Sequence, residues 1–112
     1  MIDTHCHLDS KDYIEDLDKV INDAFVQGVS GMIIPATEPS NFDRVEEISL
    51  HYQNVFFALG VHPHNAHEYN EDIEQNIELK AKQLKGKLVA IGEIGLDYHY
   101  NFTPRDIQID TF

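Results

Sequence analysis

Basic side chains are scarce in this sequence, which has 8 lysines and arginines against 20 aspartates and glutamates. The formal net charge of -12 argues against a general nucleic-acid binder, because such proteins turn a basic face toward the phosphates. A carboxylate-rich enzyme can still bind a phosphate where bound cations reverse the local field. The charge balance therefore excludes a simple electrostatic nucleic-acid binder and leaves cation-assisted phosphate chemistry open.

Cysteine and long apolar segments are scarce as well. The single cysteine, Cys6, excludes an internal disulfide and is typical of a reducing compartment. No apolar run approaches the ~20 residues of a membrane span, and no cationic-then-apolar leader precedes His5. The length of 112 residues is sufficient for one small domain. We expect a single domain, residues 1–112, that lies in the cytoplasm and makes no membrane contact.

Strand and helix patterns alternate four times along the chain. The predicted strands cover residues 1–7, 31–36, 54–61 and 88–92. The predicted helices cover residues 11–27, 40–52 and 71–84, and Ile14 is expected on the apolar face of the first. A fourth helix is expected to begin with Thr103 as N-cap and Pro104 in its first turn. This alternation predicts an α/β fold with a parallel sheet and crossover helices.

Two histidines, His5 and His7, stand one residue apart in the first predicted strand. Side chains alternate between the two faces of a strand, so both imidazoles are expected on the same side. Two neutral imidazoles on one strand can hold a metal ion when other residues supply the remaining ligands. The alternative is a pair of hydrogen-bonded core histidines. Cys6 is expected to point the opposite way and to pack in the core.

Further candidates follow the later strands, because function in parallel α/β folds lies at the carboxyl ends of strands. His62 and His64 follow the third predicted strand, His99 follows the fourth, and Glu93 ends the fourth. If the sheet curls into a barrel, Glu93 faces the same mouth as the first two histidines. Two histidines and a carboxylate would then leave metal positions open for water.

Three segments in order resemble the TatD family of metal-dependent deoxyribonucleases, which belong to the amidohydrolase-like TIM barrels. The segments are IDTHCHLD at residues 2–9, GVHPH at 60–64 and GEIGLDY at 92–98, and the spacing of Gln108 and Phe112 also matches. The resemblance covers the whole chain. Because such barrels contain roughly 250 residues and eight strands, it implies the N-terminal half of a (β/α)8 TIM barrel, with four β/α units.

The resemblance implies a metal-dependent hydrolase that cleaves phosphodiesters, with DNA as the expected substrate. His5 and His7 would hold one metal ion, and Glu93 would bridge to a second and serve as a catalytic carboxylate. One or two divalent ions would activate a water molecule for in-line attack on phosphorus. Mixed nitrogen and oxygen ligands favour Zn, Mn, Fe, Co or Ni over Mg, although the family accepts several.

The resemblance also implies a substrate pocket beside the metal ions. His62 and His64 would line it near a substrate phosphate, with Asp97 and Tyr98 beside them. His62 would in addition steady the non-bridging oxygens during catalysis. Tyr98 and His99 are candidates for the pocket rim.

Half a barrel leaves part of the family's site unassigned, because the family's two later histidine ligands and its late aspartate have no counterpart here. Two alternatives to a deoxyribonuclease therefore stay open. One is an amidohydrolase-type enzyme acting on an ester, amide or lactone, and the other is a catalytically inert truncated fragment. Both outer strands of an isolated half barrel would also lack a partner, which favours self-association through the exposed edges.

Several smaller features have a structural alternative. Asp3 either orients one of the imidazoles or caps a neighbouring backbone group. His51 is expected to contact the end of the second helix favourably, and His67 is expected to be solvated. The lysines near the end of the third helix are expected to interact with the helix dipole rather than with nucleic acid; they are Lys80, Lys82, Lys85 and Lys87.

Overall fold

The protein is described by a computed structural model that covers residues 1–100 and 102–112. The strands are β1 (Ile2–Asp3), β2 (Gly31–Pro35), β3 (Val55–Leu59) and β4 (Leu88–Ile91). The helices are α1 (Leu17–Val26), α2 (Phe42–His51), α3 (Glu71–Gln83) and α4 (Arg105–Thr111). Short 3₁₀ helices occupy Lys11–Tyr13, Pro39–Asn41 and Pro63–Glu68.

The four strands form one parallel sheet in the order β1-β2-β3-β4. Each strand is followed along the chain by one helix, so the structure consists of four β/α units. Parallel neighbours require crossover connections, and a helix serves that purpose in each case. The predicted α/β class, the parallel sheet and the number of units are confirmed.

The hydrophobic core lies between the central strands and the first two helices, and its fully buried side chains come from both layers. They are Ile34, Val55, Phe57 and Leu59 from the strands and Ile21, Phe42 and Val45 from the helices. The outer strands differ, because Ile2 of β1 and Ile91 of β4 are 62% and 56% exposed. Both edges of the sheet thus carry uncovered apolar side chains. In the described part of the chain, no helix is long and apolar enough to cross a bilayer.

The first β/α unit is less regular than its sequence pattern indicates. β1 ends at Asp3 rather than at residue 7, since the Asp3 carboxylate accepts a hydrogen bond from the His5 backbone N–H at 3.0 Å. The predicted helix over 11–27 is divided into a 3₁₀ turn and α1. Ile14 falls between them and is 64% exposed, so its expected place on the buried face is wrong.

The start of the last helix also corrects the sequence prediction. Pro104, and not Thr103, is the N-cap residue of α4. The Thr103 hydroxyl is buried and donates a hydrogen bond to the His64 backbone carbonyl at 2.8 Å. A long-range partner has thus replaced the local capping contact that the sequence favours.

Candidate metal centre

Two imidazoles from the amino-terminal segment converge on one carboxylate that follows β4. The Nε2 atoms of His5 and His7 lie 3.4 Å and 3.9 Å from Oε2 of Glu93. Their rings are 4.9 Å apart and nearly perpendicular. One potential ligand atom from each of the three residues lies within 4.8 Å of the other two.

The donor set fits a transition-metal ion. Ligand atoms held roughly 2.0–2.2 Å from a tetrahedral metal ion are about 3.4 Å apart, close to the separations between Glu93 and the two histidines. Glu93 is only partly exposed, and every ion pair that it forms among the described residues is with a histidine. A carboxylate with three imidazoles around it and no lysine or arginine is typical of a metal centre rather than of a salt bridge.

The amino-terminal segment owes its conformation to two backbone contacts. The Asp3 carboxylate caps the His5 N–H, which decides between the two roles left open for Asp3 in favour of the backbone cap. The Cys6 N–H donates to the Ile33 carbonyl at 3.2 Å, so this segment stays attached to β2 beyond the end of β1. The Cys6 side chain packs against the core, and its burial raises the pKa of the thiol to about 11.

Glu93 is positioned by its backbone. Its N–H donates to the Ala36 carbonyl at 3.1 Å, and the N–H of Gly92 donates to the Leu59 carbonyl at 2.9 Å. A Cβ atom at Gly60 would lie 2.6 Å from the Glu93 carbonyl oxygen and from the Gly92 carbonyl carbon. Only glycine therefore permits the close approach that brings the Glu93 carboxylate to the two histidines.

His62 faces the other oxygen of the same carboxylate, with its Nε2 atom 3.7 Å from Oε1 of Glu93. Its Nδ1 atom accepts a hydrogen bond from the His64 backbone N–H at 3.1 Å. Partial burial lowers the pKa of the His62 imidazole, which favours the neutral ring. With Nδ1 acting as acceptor, the neutral tautomer carries its proton on Nε2, so His62 can donate a hydrogen bond into the site.

His64 is paired with Asp97, as its Nε2 atom lies 2.6 Å from Oδ2 of that residue. The His64 hydrogen bond and the backbone N–H groups of His99 and Tyr100 lower the pKa of the Asp97 carboxyl. The His64 ring packs edge-on against His62, with ring centroids 4.4 Å apart. The structure thus brings His62 and His64 together and joins Asp97 to them.

The remaining candidates have other neighbours in the structure. Tyr98 packs its ring against the Arg105 guanidinium, 4.7 Å from the ring centroid. His99 is exposed and contacts the Tyr100 ring. His67 is exposed, with Nδ1 3.3 Å from the Thr103 hydroxyl. His51 lies in the last turn of α2 and is also exposed.

The lysines near the end of α3 make internal contacts. Lys80 forms ion pairs with Asp43 and Glu46 of α2. Lys87 donates to three backbone carbonyls; they belong to Tyr52, Gln53 and Val55. Lys80 lies in the last turn of α3, where the expected interaction with the helix dipole is possible. Lys80 and Lys87 in addition tie the α2–β3 region to the α3–β4 region.

One buried residue has a larger part in the site than its sequence pattern indicates. Gln108 of α4 is 1% exposed, and its side-chain oxygen accepts from the Asp97 N–H at 2.8 Å. Its amide nitrogen donates to the carbonyls of Asp97 and Thr103 at 3.0 Å and 2.7 Å. Gln108 therefore binds the backbone at two positions of the segment that follows β4, Asp97 and Thr103. The feature of the sequence that could have indicated this role is a polar amide side chain between Ile107 and Ile109, in an otherwise apolar part of a predicted helix.

Comparisons with known proteins agree with this arrangement. A sequence profile of the family described as TatD related DNase matches residues 2–112. The metal-dependent hydrolase YabD of Bacillus subtilis is 36% identical over 113 residues, which cover 100% of this chain and 43% of YabD. The 3'-5' ssDNA/RNA exonuclease TatD of Escherichia coli is 33% identical over 113 residues, covering 100% of this chain and 42% of that enzyme.

A solved structure supports the same relationship. The crystal structure of YjjV, a TatD homolog from Escherichia coli, superposes with a TM-score of 0.78 at 32% sequence identity. The match covers 99% of this chain and 46% of that one. The chain therefore spans less than half the length of the relatives that it resembles, and within that span it has their fold.

Proposed function

Since the chain belongs to the family of TatD-related DNases, we propose that it forms part of a metal-dependent hydrolase that cleaves phosphodiester bonds in DNA. The observation that carries the proposal is the convergence of His5 and His7 on Glu93, without a lysine or arginine partner among the described residues. The half-barrel formed by residues 1–112 would be the amino-terminal part of this enzyme's single catalytic domain.

The three donor residues would hold the metal ions. His5 and His7 would ligate one divalent ion, and the two oxygens of Glu93 allow it to bridge to a second. Zn, Mn, Fe, Co and Ni suit the mixed nitrogen and oxygen donors better than Mg does. When bound, such an ion polarises a phosphoryl oxygen and lowers the pKa of water, the chemistry that phosphodiester hydrolysis needs.

The neighbouring residues would bind the substrate. With its proton on Nε2, His62 would donate a hydrogen bond to a non-bridging phosphate oxygen. His64 would be held in one orientation by Asp97 and would close the pocket on that side. Tyr98 would form part of the rim, together with the Arg105 guanidinium that lies on its ring.

Metal binding tests the centre directly. Titration of the protein with Zn²⁺ or Mn²⁺ in a calorimeter is expected to show one or two sites. The His5→Ala variant should lose at least about 10-fold in affinity, because even outer contacts of metal ligands contribute that much. His51→Ala is the matched control, since it removes an exposed histidine at the end of α2. Equal affinity of the His5→Ala variant and the wild type would contradict the proposed ligand set.

Hydrolysis tests the reaction. Degradation of a single-stranded DNA oligonucleotide should require the divalent ion and should disappear in the Glu93→Gln variant. An aryl ester assayed in parallel separates a phosphodiesterase from an amidohydrolase-type esterase. Turnover of the ester with no cleavage of DNA would contradict the proposed substrate class.

An inert fragment is the second candidate, and one observation favours it. Within residues 1–100 and 102–112, the three-residue cluster is the one group of potential metal ligands, and the chain spans under half of its relatives. The 112-residue chain alone would then bind an ion and cleave nothing. Turnover by this chain that is abolished by His5→Ala would exclude the inert alternative.

We also propose that the chain, when produced alone, self-associates through the outer strands of its sheet. Ile2 on the β1 edge and Val89 and Ile91 on the β4 edge are exposed, and uncovered strand edges pair readily with another chain. Light scattering after size-exclusion chromatography should give a mass above that of one chain. A monodisperse monomer would contradict this proposal.

We propose a location in the cytoplasm, which the single cysteine supports, since the half-buried Cys6 is a free thiol.

A further inference from the structure

Two exposed aromatic rings lie beside the candidate metal centre. Tyr100 and Phe102 are 61% and 68% exposed. Their rings are parallel to within 2°, with centroids 5.7 Å apart. The two rings together form an exposed apolar patch, and such patches often mark binding sites.

A continuous row of rings joins these aromatics to the carboxylate of the centre. The Phe102 ring lies 4.8 Å from the His64 ring, and the Tyr100 ring lies 5.7 Å from it. His64 in turn contacts His62, whose Nε2 atom faces Glu93. A group bound on the outer aromatics would therefore be the immediate neighbour of a phosphate bound at His62.

The segment that carries the two aromatics is held on both flanks. The Asp97 carboxylate accepts the Tyr100 N–H at 3.3 Å and fixes His64. Gln108 binds the carbonyls of Asp97 and Thr103, and the Thr103 hydroxyl binds the His64 carbonyl. These contacts pre-organise the rings, so a ligand would not have to order them on binding.

We propose that Tyr100 and Phe102 form a stacking platform for an unpaired nucleobase next to the scissile phosphate. This inference rests on the proposed function and adds the part of the substrate that is recognised. Base stacking on an aromatic ring tolerates any base and needs no positive charge, which suits a chain with a net charge of -12. A base paired in a duplex cannot lie on the platform, so the preferred substrate is single-stranded.

The test compares two single-stranded oligodeoxynucleotides that differ at one end, where one has a base and the other has an abasic sugar. Binding is measured by fluorescence anisotropy in the presence of Mn²⁺, on oligonucleotides whose phosphorothioate linkages resist cleavage. The wild type should bind the base-containing oligonucleotide roughly 5- to 150-fold more tightly, the range for loss of one stacked base. The Tyr100→Leu/Phe102→Leu double variant should bind both oligonucleotides equally and weakly.

Phe112→Leu is the matched control, because Phe112 is 69% exposed and belongs to no part of the proposed site. It should keep the wild-type preference for the base. A wild type that binds both oligonucleotides equally would overturn the platform, and so would a double variant that keeps the preference. A double variant that changes the mass of the particle and not DNA binding would assign the rings to a protein contact, which also overturns it.

The outcomes remain distinguishable from failure of the proposed function. The anisotropy measurement needs no turnover, so a base preference without any cleavage would support the platform and count against hydrolysis. Metal-dependent cleavage of the unmodified forms of both oligonucleotides at equal rates, with no base preference in binding, would support hydrolysis and overturn the platform.

Discussion

Replacing Gly60 with alanine tests how backbone packing determines the metal geometry. The new Cβ atom would lie 2.6 Å from the Glu93 carbonyl oxygen and 2.9 Å from the Gly92 Cα atom. Ordinary van der Waals contact begins at 3.4 Å, and the atoms in the way belong to the backbone. The Glu93 backbone must therefore move by roughly 1 Å, the scale on which displacements impair a site. Its carboxylate would move with it, which would change its distances to His5 and His7.

Two quantities should change together in this variant. Overpacking of a well-packed region costs about 1–3 kcal/mol in the free energy of unfolding, measured in urea. The displaced carboxylate should weaken Zn²⁺ or Mn²⁺ binding by roughly 10- to 100-fold, the range found when the support of a metal ligand is removed. Titration calorimetry measures the second quantity on protein that is still folded.

Gly31→Ala provides the control, at a glycine that begins β2. The nearest atom to its added Cβ is 3.7 Å away, an ordinary contact. We expect metal affinity within a factor of about two of the wild type for this variant. If Gly60→Ala is folded and also keeps the wild-type affinity, the contact behind Glu93 does not determine the geometry of the site.

Three further changes test separate parts of the structure. Burial, and to a smaller extent the charge of Asp3, raises the pKa of the Cys6 thiol to about 11. Iodoacetamide at about pH 8 should therefore alkylate Cys6 roughly 100-fold more slowly in the folded protein than in urea, because only the thiolate reacts. Equal rates would contradict the burial. The His64 hydrogen bond lowers the pKa of the Asp97 carboxyl in the folded protein. The stability that this carboxylate contributes is therefore complete above its unfolded pKa of about 3.9. It is lost as the pH falls through the lower pKa of the folded state. In urea unfolding, the advantage of the wild type over Asp97→Asn should thus shrink below about pH 4, and an advantage independent of pH would refute the pairing. Lys87→Met removes the donor to three carbonyls and should cost about 1–3 kcal/mol in the free energy of unfolding, whereas Lys85→Met, at an exposed position, should cost less than about 0.5 kcal/mol.

The order of elements was predictable from the sequence because the apolar periodicity is a local property. Continuous apolar runs marked β2 and β3, whose residues are mostly buried. The ends were less predictable, since long-range contacts decide them. Thr103 gives its hydroxyl to the His64 carbonyl instead of capping α4. Asp3 ends β1 by capping the His5 N–H, a choice that the sequence left open.

The candidate site was predictable to a similar degree. Functional residues of parallel α/β folds lie at the carboxyl ends of the strands, which predicted that Glu93 would lie near His5 and His7. In the structure these three residues are close together. Which histidine faces which carboxylate was not predictable, because it depends on distances of a few ångströms between distant segments. The pairing of His64 with Asp97 and the contacts of Gln108 arise only when α4 packs against the segment after β4.

The charge distribution indicates how an acidic chain could still bind a polyanion. Most of its few cations are engaged within the chain: Lys19, Lys80, Lys82 and Arg44 pair with carboxylates, and Lys87 donates to carbonyls. Under the proposed function, positive charge for a phosphate would come from metal ions held by His5, His7 and Glu93, and from the Arg105 guanidinium at the pocket rim. The uncharged rings of Tyr100 and Phe102 could add affinity without attracting every polyanion in the cell. Under the proposed function, substrate binding would follow metal binding, because the phosphate would otherwise meet the negative charge of Glu93.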